Sequence, residues 1–125
     1  MAIGVKRLDH VNLTVPRAAE AAARDFYGVL LGLSEIEKPE ASRSRGGAWF
    51  DAGSVQLHIS LEDGVENASR RHVCLIVADL AAAQAVLVAA GVAILPDDRP
   101  QPGWVRFYVL DPAGNRLEIA APSGA

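Results

Sequence analysis

Two segments of the chain repeat one short pattern. Asp-His-Val-Asn-Leu-Thr-Val begins at Asp9 and Arg-His-Val-Cys-Leu-Ile-Val begins at Arg71, which places His10 and His72 sixty-two residues apart. In both segments valine or leucine occupies every second position, the period of a strand with one apolar face. A pattern that recurs at this interval indicates one structural unit copied once, so the fold is expected to consist of two similar halves.

The first half predicts the order strand, helix, strand, strand, strand. Pro16 suits the first turn of a helix, and alanines with Phe26 follow at helical spacing until Gly32. Glycines mark the later turns, and the segment that holds Arg43 and Arg45 predicts a loop. The strands of this half are predicted at residues 8–15, 33–37, 48–52 and 55–61.

The second half predicts the same order. Asp79 is suited to cap a helix that ends at Gly91, and its apolar stripe consists of Leu80, Ala83, Leu87 and Ala90. The strands of this half are predicted at residues 71–77, 92–95, 104–110 and 116–121. The fold class is therefore α+β, with two tandem βαβββ modules.

The domain organisation follows from this repeat and from the chain length. The 125 residues suit one domain, residues 1–125. Within it, module one covers about 1–61, a polar linker about 62–70, and module two about 71–125.

Composition excludes several classes of function. The formal charge of -3, without a run of like charges, argues against a nucleic-acid partner. The longest apolar stretch, residues 80–95, is interrupted by Gln84 and Gly91 and is shorter than the roughly 20 residues of a membrane span. Cys74 is the only cysteine, which excludes an intrachain disulfide and favours a cytoplasmic location.

Four polar residues lie at matching positions of the two halves. The interval that relates His10 to His72 also relates Gln56 to Glu118, and each lies opposite the apolar stripe of its strand. Two imidazoles and one carboxylate form the ligand pattern of many divalent-metal sites, with Gln56 as a fourth, weaker oxygen ligand. The alternative is that these histidines are ordinary surface or hydrogen-bonded residues.

Further polar and aromatic side chains share the predicted cavity faces. His58 lies two residues after Gln56 on the same face and competes with it as the fourth ligand; it is otherwise interpreted as a proton shuttle or as polar lining. Trp104, Arg106 and Tyr108 alternate on one strand and would bind a planar or acidic substrate, with Arg106 pairing an anion. The alternative is an aromatic core face with an arginine that reaches solvent.

Cys74 shares the face of His72. Nothing in its sequence surroundings favours a low thiol pKa, so Cys74 is predicted to be a small, buried side chain.

The residues quoted above resemble the vicinal oxygen chelate superfamily. The resemblance rests on DHVNLTV, FYGVLLGL, RHVCLIV and FYVLDPAGNRLEIAAP, and its most specific part is the DPAGN turn before the strand that carries Glu118. This superfamily includes glyoxalases, fosfomycin-resistance transferases, extradiol dioxygenases and bleomycin-resistance proteins. The resemblance implies two βαβββ modules that form a half-open mixed β-barrel around one metal, and a homodimer.

The resemblance also implies site residues. It assigns His10, His72 and Glu118 as metal ligands and places Gln56 where glyoxalase I has a glutamate. Because Gln56 lacks the charge and basicity of a carboxylate, the sequence does not favour glutathione-dependent glyoxalase activity. The metal that the resemblance implies is one divalent ion, and Fe, Mn, Ni, Co and Zn all suit these ligands.

Two functions from different classes follow. The first is a metal-dependent enzyme, a lyase, isomerase, dioxygenase or thiol transferase, acting on a small molecule with vicinal oxygens. Glu118 would be ligand and general base, and His58 the reserve base. The second is a non-catalytic protein of the bleomycin-resistance type that sequesters an antibiotic or another aromatic or cationic compound in a cavity lined by Trp104, Tyr108 and Arg106. A domain kept only for association is a third and weaker hypothesis.

Overall fold

The computed structural model describes residues 1–124 and divides the chain into two compact units. The first unit is Met1–Gly64 and the second begins at Val65. The boundary lies inside the polar segment predicted as a linker. Each unit contains one four-stranded mixed sheet.

Module one contains four strands and several short helical segments. The strands are β1 (His10–Val15), β2 (Ser34–Ile36), β3 (Ala48–Asp51) and β4 (Gln56–Leu61). Between β1 and β2 the helix predicted as continuous is divided into a 3₁₀ turn (Arg17–Ala19), α1 (Glu20–Asp25) and a π-helical turn (Phe26–Leu30). Each predicted strand of this module is confirmed to within two residues at either end.

Module two repeats this arrangement with a longer helix. The elements are β5 (His72–Ile76), α3 (Leu80–Ala89), β6 (Leu95–Pro96), β7 (Trp104–Leu110) and β8 (Arg116–Pro122). The predicted cap is confirmed, because the Asp79 Oδ1 accepts a hydrogen bond of 3.0 Å from the Ala82 backbone N–H.

The two sheets have the same strand order. Module one has the order β1-β4-β3-β2 and module two has β5-β8-β7-β6. In each sheet the first and last strands of the module pair in parallel, and the other neighbours are antiparallel. The parallel pair needs a crossover, which the helical segment after the first strand begins. The fold class predicted from the sequence is therefore confirmed.

Two local predictions were wrong. The segment expected to be a loop contains a short helix, α2 (Glu40–Arg43), which follows Pro39 and has Glu40 in its first turn. The strand expected at residues 92–95 begins only at Leu95 and extends to Pro96. A proline is tolerated there because β6 is the edge strand of its sheet.

Each module buries the apolar side of its sheet. In module one the buried apolar residues are Val15, Ala23, Phe26, Tyr27, Ala48, Phe50, Leu57 and Ile59. In module two they are Leu87, Phe107, Tyr108, Val109, Leu117, Ile119, Ala120 and Ala121. Because side chains alternate along a strand, burial of Leu117 and Ile119 leaves the side chain of Glu118 on the other face.

The turn before β8 is fixed by one buried carboxylate. The Asp111 Oδ1 accepts hydrogen bonds from the backbone N–H groups of Ala113 and Asn115, at 2.9 and 2.8 Å. Its Oδ2 accepts a third bond, of 2.9 Å, from the Asn115 side chain. This Asx-type turn fixes where β8 begins and therefore the position of Glu118 along the strand.

An exposed carboxylate joins the end of β4 to the start of the first helical turn. The Asp63 carboxylate accepts hydrogen bonds from the Arg17 backbone N–H at 2.9 Å and from the Arg17 guanidinium at 3.1 Å. The backbone bond, followed by the side-chain bond, lowers the pKa of Asp63.

We expect Asp63→Asn to reduce stability in a pH-dependent way. A carboxyl whose pKa is lower in the folded state stabilises that state above its unfolded pKa of about 3.9, and the effect is lost as pH falls through the folded pKa. Urea unfolding should therefore separate variant from wild type at pH 7 and give similar midpoints near pH 2. An equal difference at both pH values would contradict this role, and Glu62→Gln serves as the neighbouring control.

None of the helices within residues 1–124 combines the length and apolar character that a membrane crossing requires.

Candidate metal and ligand site

Glu118 lies in the middle of the polar face of module two. Its strand β8 is flanked by β5 and β7, so that Cys74 and Tyr108 are its direct cross-strand partners. The side chain of Glu118 is 11% exposed. A carboxylate this deeply buried requires charged or hydrogen-bonding partners.

His72 is oriented toward this carboxylate. The His72 Nδ1 lies 2.8 Å from the Arg70 carbonyl oxygen, and its Nε2 lies 3.1 Å from the Glu118 Oε1. Both oxygens are acceptors, whereas a neutral imidazole has only one N–H to donate. If Nδ1 carries the hydrogen and donates it to the Arg70 carbonyl, the lone pair of Nε2 faces the Glu118 oxygen. A proton or a metal ion at Nε2 would turn this contact into a favourable one.

The other oxygen of Glu118 is held by one hydrogen bond and one ion pair. The Cys74 thiol donates to Oε2 at 3.3 Å, and the Arg106 Nη1 lies 3.5 Å from the same oxygen. The Oε2 atom is therefore engaged by Cys74 and Arg106, whereas Oε1 faces His72.

Arg106 is itself fixed by the loop between β6 and β7. Its Nε donates to the Asp97 Oδ2 at 3.0 Å, and its Nη2 donates to the Arg99 carbonyl oxygen at 2.7 Å. The hydrogen bond from Arg106 is the main cause that lowers the pKa of Asp97. The arginine predicted to pair with a substrate anion is thus engaged by Asp97, the Arg99 carbonyl and Glu118.

Cys74 does not have the predicted burial. The residue is exposed, because β5 is an edge strand and its polar face is open at this position. Desolvation and the hydrogen bond to Glu118 raise the pKa of the Cys74 thiol to about 11, so the expectation of an unactivated thiol is confirmed.

Tyr108 lies next to Glu118, as its cross-strand neighbour on β7. It is buried, and its ring meets the His72 ring edge-on at a centroid distance of 5.4 Å. The Arg116 guanidinium lies 4.1 Å from the centre of the same ring. Burial, and then the Glu118 charge, raise the pKa of Tyr108, which favours the neutral phenol.

In module one, His10 has a partner arrangement similar to that of His72. Its Nδ1 lies 2.9 Å from the Asp9 Oδ2. A carboxylate that accepts the Nδ1–H of an imidazole leaves Nε2 as the lone-pair donor and fixes the tautomer, as in many metal-bound histidines. The hydrogen bond from His10 is the main cause that lowers the pKa of Asp9.

His58 is the most enclosed polar residue of module one. Its ring is stacked between those of His10 and Trp49, at centroid distances of 4.2 and 3.8 Å. Its Nε2 lies 2.9 Å from the Gln56 Oε1, an amide oxygen that accepts the Nε2–H. Burial, and then the charge of His10, lower the pKa of His58, which favours the neutral ring.

The strand register does not support the equivalence of Gln56 and Glu118 that was predicted from the sequence. In module one His10 pairs with Gln56 and Asn12 with His58, whereas in module two Cys74 pairs with Glu118. Asn12 follows His10 by two residues, and Cys74 follows His72 by two residues, so Asn12 and Cys74 are equivalent positions. Their cross-strand partners are then equivalent as well, which makes His58 the counterpart of Glu118. The equivalence of Gln56 and Glu118 was wrong because equal intervals along the chain span turns of different length, while pairing is set within the sheet.

The cross-strand partners agree with this register. Trp49 pairs with His58 in module one, and Tyr108 pairs with Glu118 in module two. An aromatic side chain therefore lies beside the central polar residue of each module. Sequence reasoning found Tyr108 and missed Trp49, although the alternation of residues 48–52 was the available signal.

The structure brings the predicted site residues together within each module. His10, Gln56 and His58 form one contact group in module one. In module two the group consists of His72, Arg106, Tyr108 and Glu118, with Trp104 beside Arg106 and Glu118 in one pocket. Asp9 and Asp97, which orient His10 and Arg106, were not identified as site residues from the sequence.

A divalent metal fits part of this donor set. Nitrogen and carboxylate donors at His72 and Glu118 suit such an ion, and the second hydrogen bond of each imidazole is already made to an oxygen. Within residues 1–124 no group of three or more His, Cys, Asp or Glu side chains is arranged to hold a metal. The pair in module two would therefore supply two of the ligands that such a site requires.

The fold and this donor set define a class of protein: two βαβββ modules, each with a histidine on its first strand. Residues 7–119 match the family described as Glyoxalase/Bleomycin resistance protein/Dioxygenase superfamily. Since this match covers most of the chain, the chain belongs to that superfamily, and the resemblance noted from the sequence is confirmed.

Solved structures agree with the family. A protein from Bacillus anthracis assigned to the glyoxalase family is 36% identical, with a TM-score of 0.88 over 98% of this chain and 100% of that one. A lactoylglutathione lyase from Agrobacterium tumefaciens is 20% identical, with a TM-score of 0.72 and coverage of 94% and 95%. TnmS3, an antibiotic binding protein from Streptomyces sp. CB03234, is 19% identical, with a TM-score of 0.74 and coverage of 98% and 100%.

The last two structures share the fold with this chain, and their names describe both an enzyme and a binding protein. Among curated protein sequences, none matches the chain.

Proposed function

We propose that the protein is a divalent-metal-dependent enzyme that acts on a small substrate with adjacent oxygen atoms. The observation that carries this proposal is the setting of His72, whose two ring nitrogens face two acceptor oxygens. A metal ion at Nε2 and the Glu118 Oε1 would satisfy both groups and leave Nδ1–H bonded to the backbone.

The proposed ligands are His72, Glu118 and His10. The first two lie together in module two, and the third is assigned by the family resemblance and supported by its bond to Asp9. Gln56 is a weaker fourth candidate because its amide oxygen already accepts from His58. His58, as the structural counterpart of Glu118, is the second candidate for that position.

The chemistry follows from what each side chain is free to do. A bound metal would supply a Lewis acid for a substrate oxyanion, which a cationic centre stabilises strongly in a partly buried site. The Glu118 Oε2 accepts from the Cys74 thiol and is paired with Arg106, so Glu118 would act as a base only through Oε1, once that oxygen has left the metal. His58, with a lowered pKa and Nε2–H bonded to Gln56, would accept a proton at Nδ1.

Metal content tests this proposal. Protein purified without added metal or chelator, and without an affinity tag, should contain about one equivalent of Fe, Mn, Ni, Co or Zn, because these ligands suit several such ions. The His10→Ala, His72→Ala double variant should contain none while giving an unchanged far-UV circular dichroism spectrum. Wild-type protein that contains no metal and binds no ion on addition would overturn the proposal.

The second candidate is a protein that sequesters a ligand without metal. The observation that favours it is the pocket of module two, where the Trp104 side chain is exposed rather than buried in a core. Thermal-shift screening separates the two candidates, because a sequestering protein gains stability from a ligand in the presence of chelator, whereas the enzyme responds first to divalent ions.

We further propose a homodimer, which the family resemblance implies, and a cytoplasmic location, which the single cysteine favours, with a small molecule as the other partner. Sedimentation velocity at several protein concentrations tests the dimer, and a single monomeric species throughout would contradict it.

A further inference from the structure

A pocket opens on the polar face of module two beside Glu118. Its floor is Ala120, which lies between Ile76 on β5 and Arg106 on β7 in one cross-strand row. Both neighbours have long side chains, whereas alanine has one methyl group. The depression exists because this central position of the row carries a small residue.

The walls beside this floor are largely apolar. Ile76 and Trp104 are 58% and 44% exposed, although both are residues that proteins usually bury. They line the same pocket together with Cys74 and the Gln101 amide. An aliphatic and an indole side chain exposed beside one depression form a surface suited to a flat, apolar group.

Anion binding is not favoured here. Among residues 1–124, Arg106 is the one positive side chain that lines the pocket. Asp97, the Arg99 carbonyl and Glu118 surround its guanidinium. The side chains of Arg106, Asp97 and Glu118 are 14%, 12% and 11% exposed, which shields this group from solvent. An entering carboxylate would have to displace these acceptors and would also meet the negative charge of Glu118.

The volume of the pocket fits one ring. It measures about 230 Å³, and an apolar cavity of roughly 150 Å³ is large enough to bind benzene. The remaining space accommodates a short polar substituent near the Gln101 amide or Glu118.

We propose that this pocket binds an uncharged aromatic ring, stacked on Trp104 and seated on Ala120. The proposal rests on the proposed function in one respect, since the ring would be the part of the substrate that lies beside the metal ligand Glu118. Ala120 is then a specificity-determining residue, because its size sets how deep the ring enters.

Two probes of the same size test the charge preference. Benzyl alcohol and benzoate are titrated into chelator-treated protein labelled with ¹⁵N, and the indole N–H signal of Trp104 is followed after assignment with Trp104→Phe. Benzyl alcohol should shift this signal and bind at least about fivefold more tightly than benzoate. Tighter binding of benzoate, or no shift with benzyl alcohol, would overturn the proposal.

Two substitutions test the location. Ala120→Leu should fill the floor and weaken benzyl alcohol binding by about tenfold or more, whereas Ala82→Leu, on the exposed side of α3, should bind like wild type. Trp104→Ala changes an exposed residue and should weaken binding by about fivefold, which keeps the test valid if Ala120→Leu does not fold. Wild-type affinity in a folded Ala120→Leu protein, or in Trp104→Ala, would contradict the proposal.

Metal titration of the same variants separates this inference from the proposed function. Ala120→Leu should retain the metal affinity of the wild type, since Ala120 is not a ligand. If the wild-type protein binds the aromatic ring but takes up no metal, the metal-dependent enzyme hypothesis is overturned and the pocket assignment stands. If the protein binds metal but not the aromatic ring, the pocket assignment is overturned and the metal-site proposal stands.

Discussion

Glu118→Gln is expected to lower the affinity of the protein for a divalent metal by about 100-fold or more. The substitution keeps the size of the side chain but removes the charge of a ligand, and loss of a group that merely supports a ligand already costs about 10- to 100-fold. The uncharged amide also attracts the Arg106 guanidinium less, so the anchoring of the side chain weakens as well. Calorimetric titration with Co(II), together with the visible absorption of the bound ion, measures both affinity and coordination.

Glu66→Gln is the matched control for this experiment. Glu66 is an exposed glutamate of module two, and its replacement changes the net charge by the same amount. If the two variants bound Co(II) equally well, the loss would be a general charge effect and Glu118 would not be a ligand.

Gly47→Ala is expected to destabilise module one by about 3 kcal/mol or more. Gly47 has φ +79°, and a Cβ there would lie 2.1 Å from the Ile59 carbonyl oxygen and 3.3 Å from the Ser60 Cα. These are backbone atoms of the central strand β4, which cannot move without breaking its ladder with β3. The substitution therefore adds a steric clash to the cost of a left-handed backbone.

Gly53→Ala separates these two costs. Gly53 also has a positive φ, of +89°, but nothing lies within 4 Å of its added Cβ. It should cost only about 1–2 kcal/mol, the penalty of the backbone conformation. Urea unfolding followed by circular dichroism measures both variants, and equal losses would show that the approach of Ile59 is not limiting.

The strands and their faces were predictable because they depend on local alternation. β1, β4, β5, β7 and β8 begin and end within two residues of their predicted positions. Their apolar sides are those that the sequence indicated. The helix ends were less predictable, because the division of one predicted helix into 3₁₀, α and π turns depends on how Phe26 and Tyr27 pack.

The sequence could name candidate residues for a site, but it could not name their contacts. His10, Gln56, His72 and Glu118 were identified from their spacing, and Trp104, Arg106 and Tyr108 from alternation. Their partners lie on other segments of the chain, as Asp97 does for Arg106, or are backbone atoms such as the Arg70 carbonyl. Neither kind of partner leaves a periodic signal.

The sequence by itself determined the duplicated βαβββ plan, because strand period and helix signals are local properties of each segment. Only the tertiary structure decided that His58 is the counterpart of Glu118, that Arg106 is engaged by Asp97, and that Cys74 is exposed. These facts depend on strand register and on packing between residues far apart in the chain. Register is fixed by which side chains and backbone groups pair across the sheet, and the interval along the chain does not specify it.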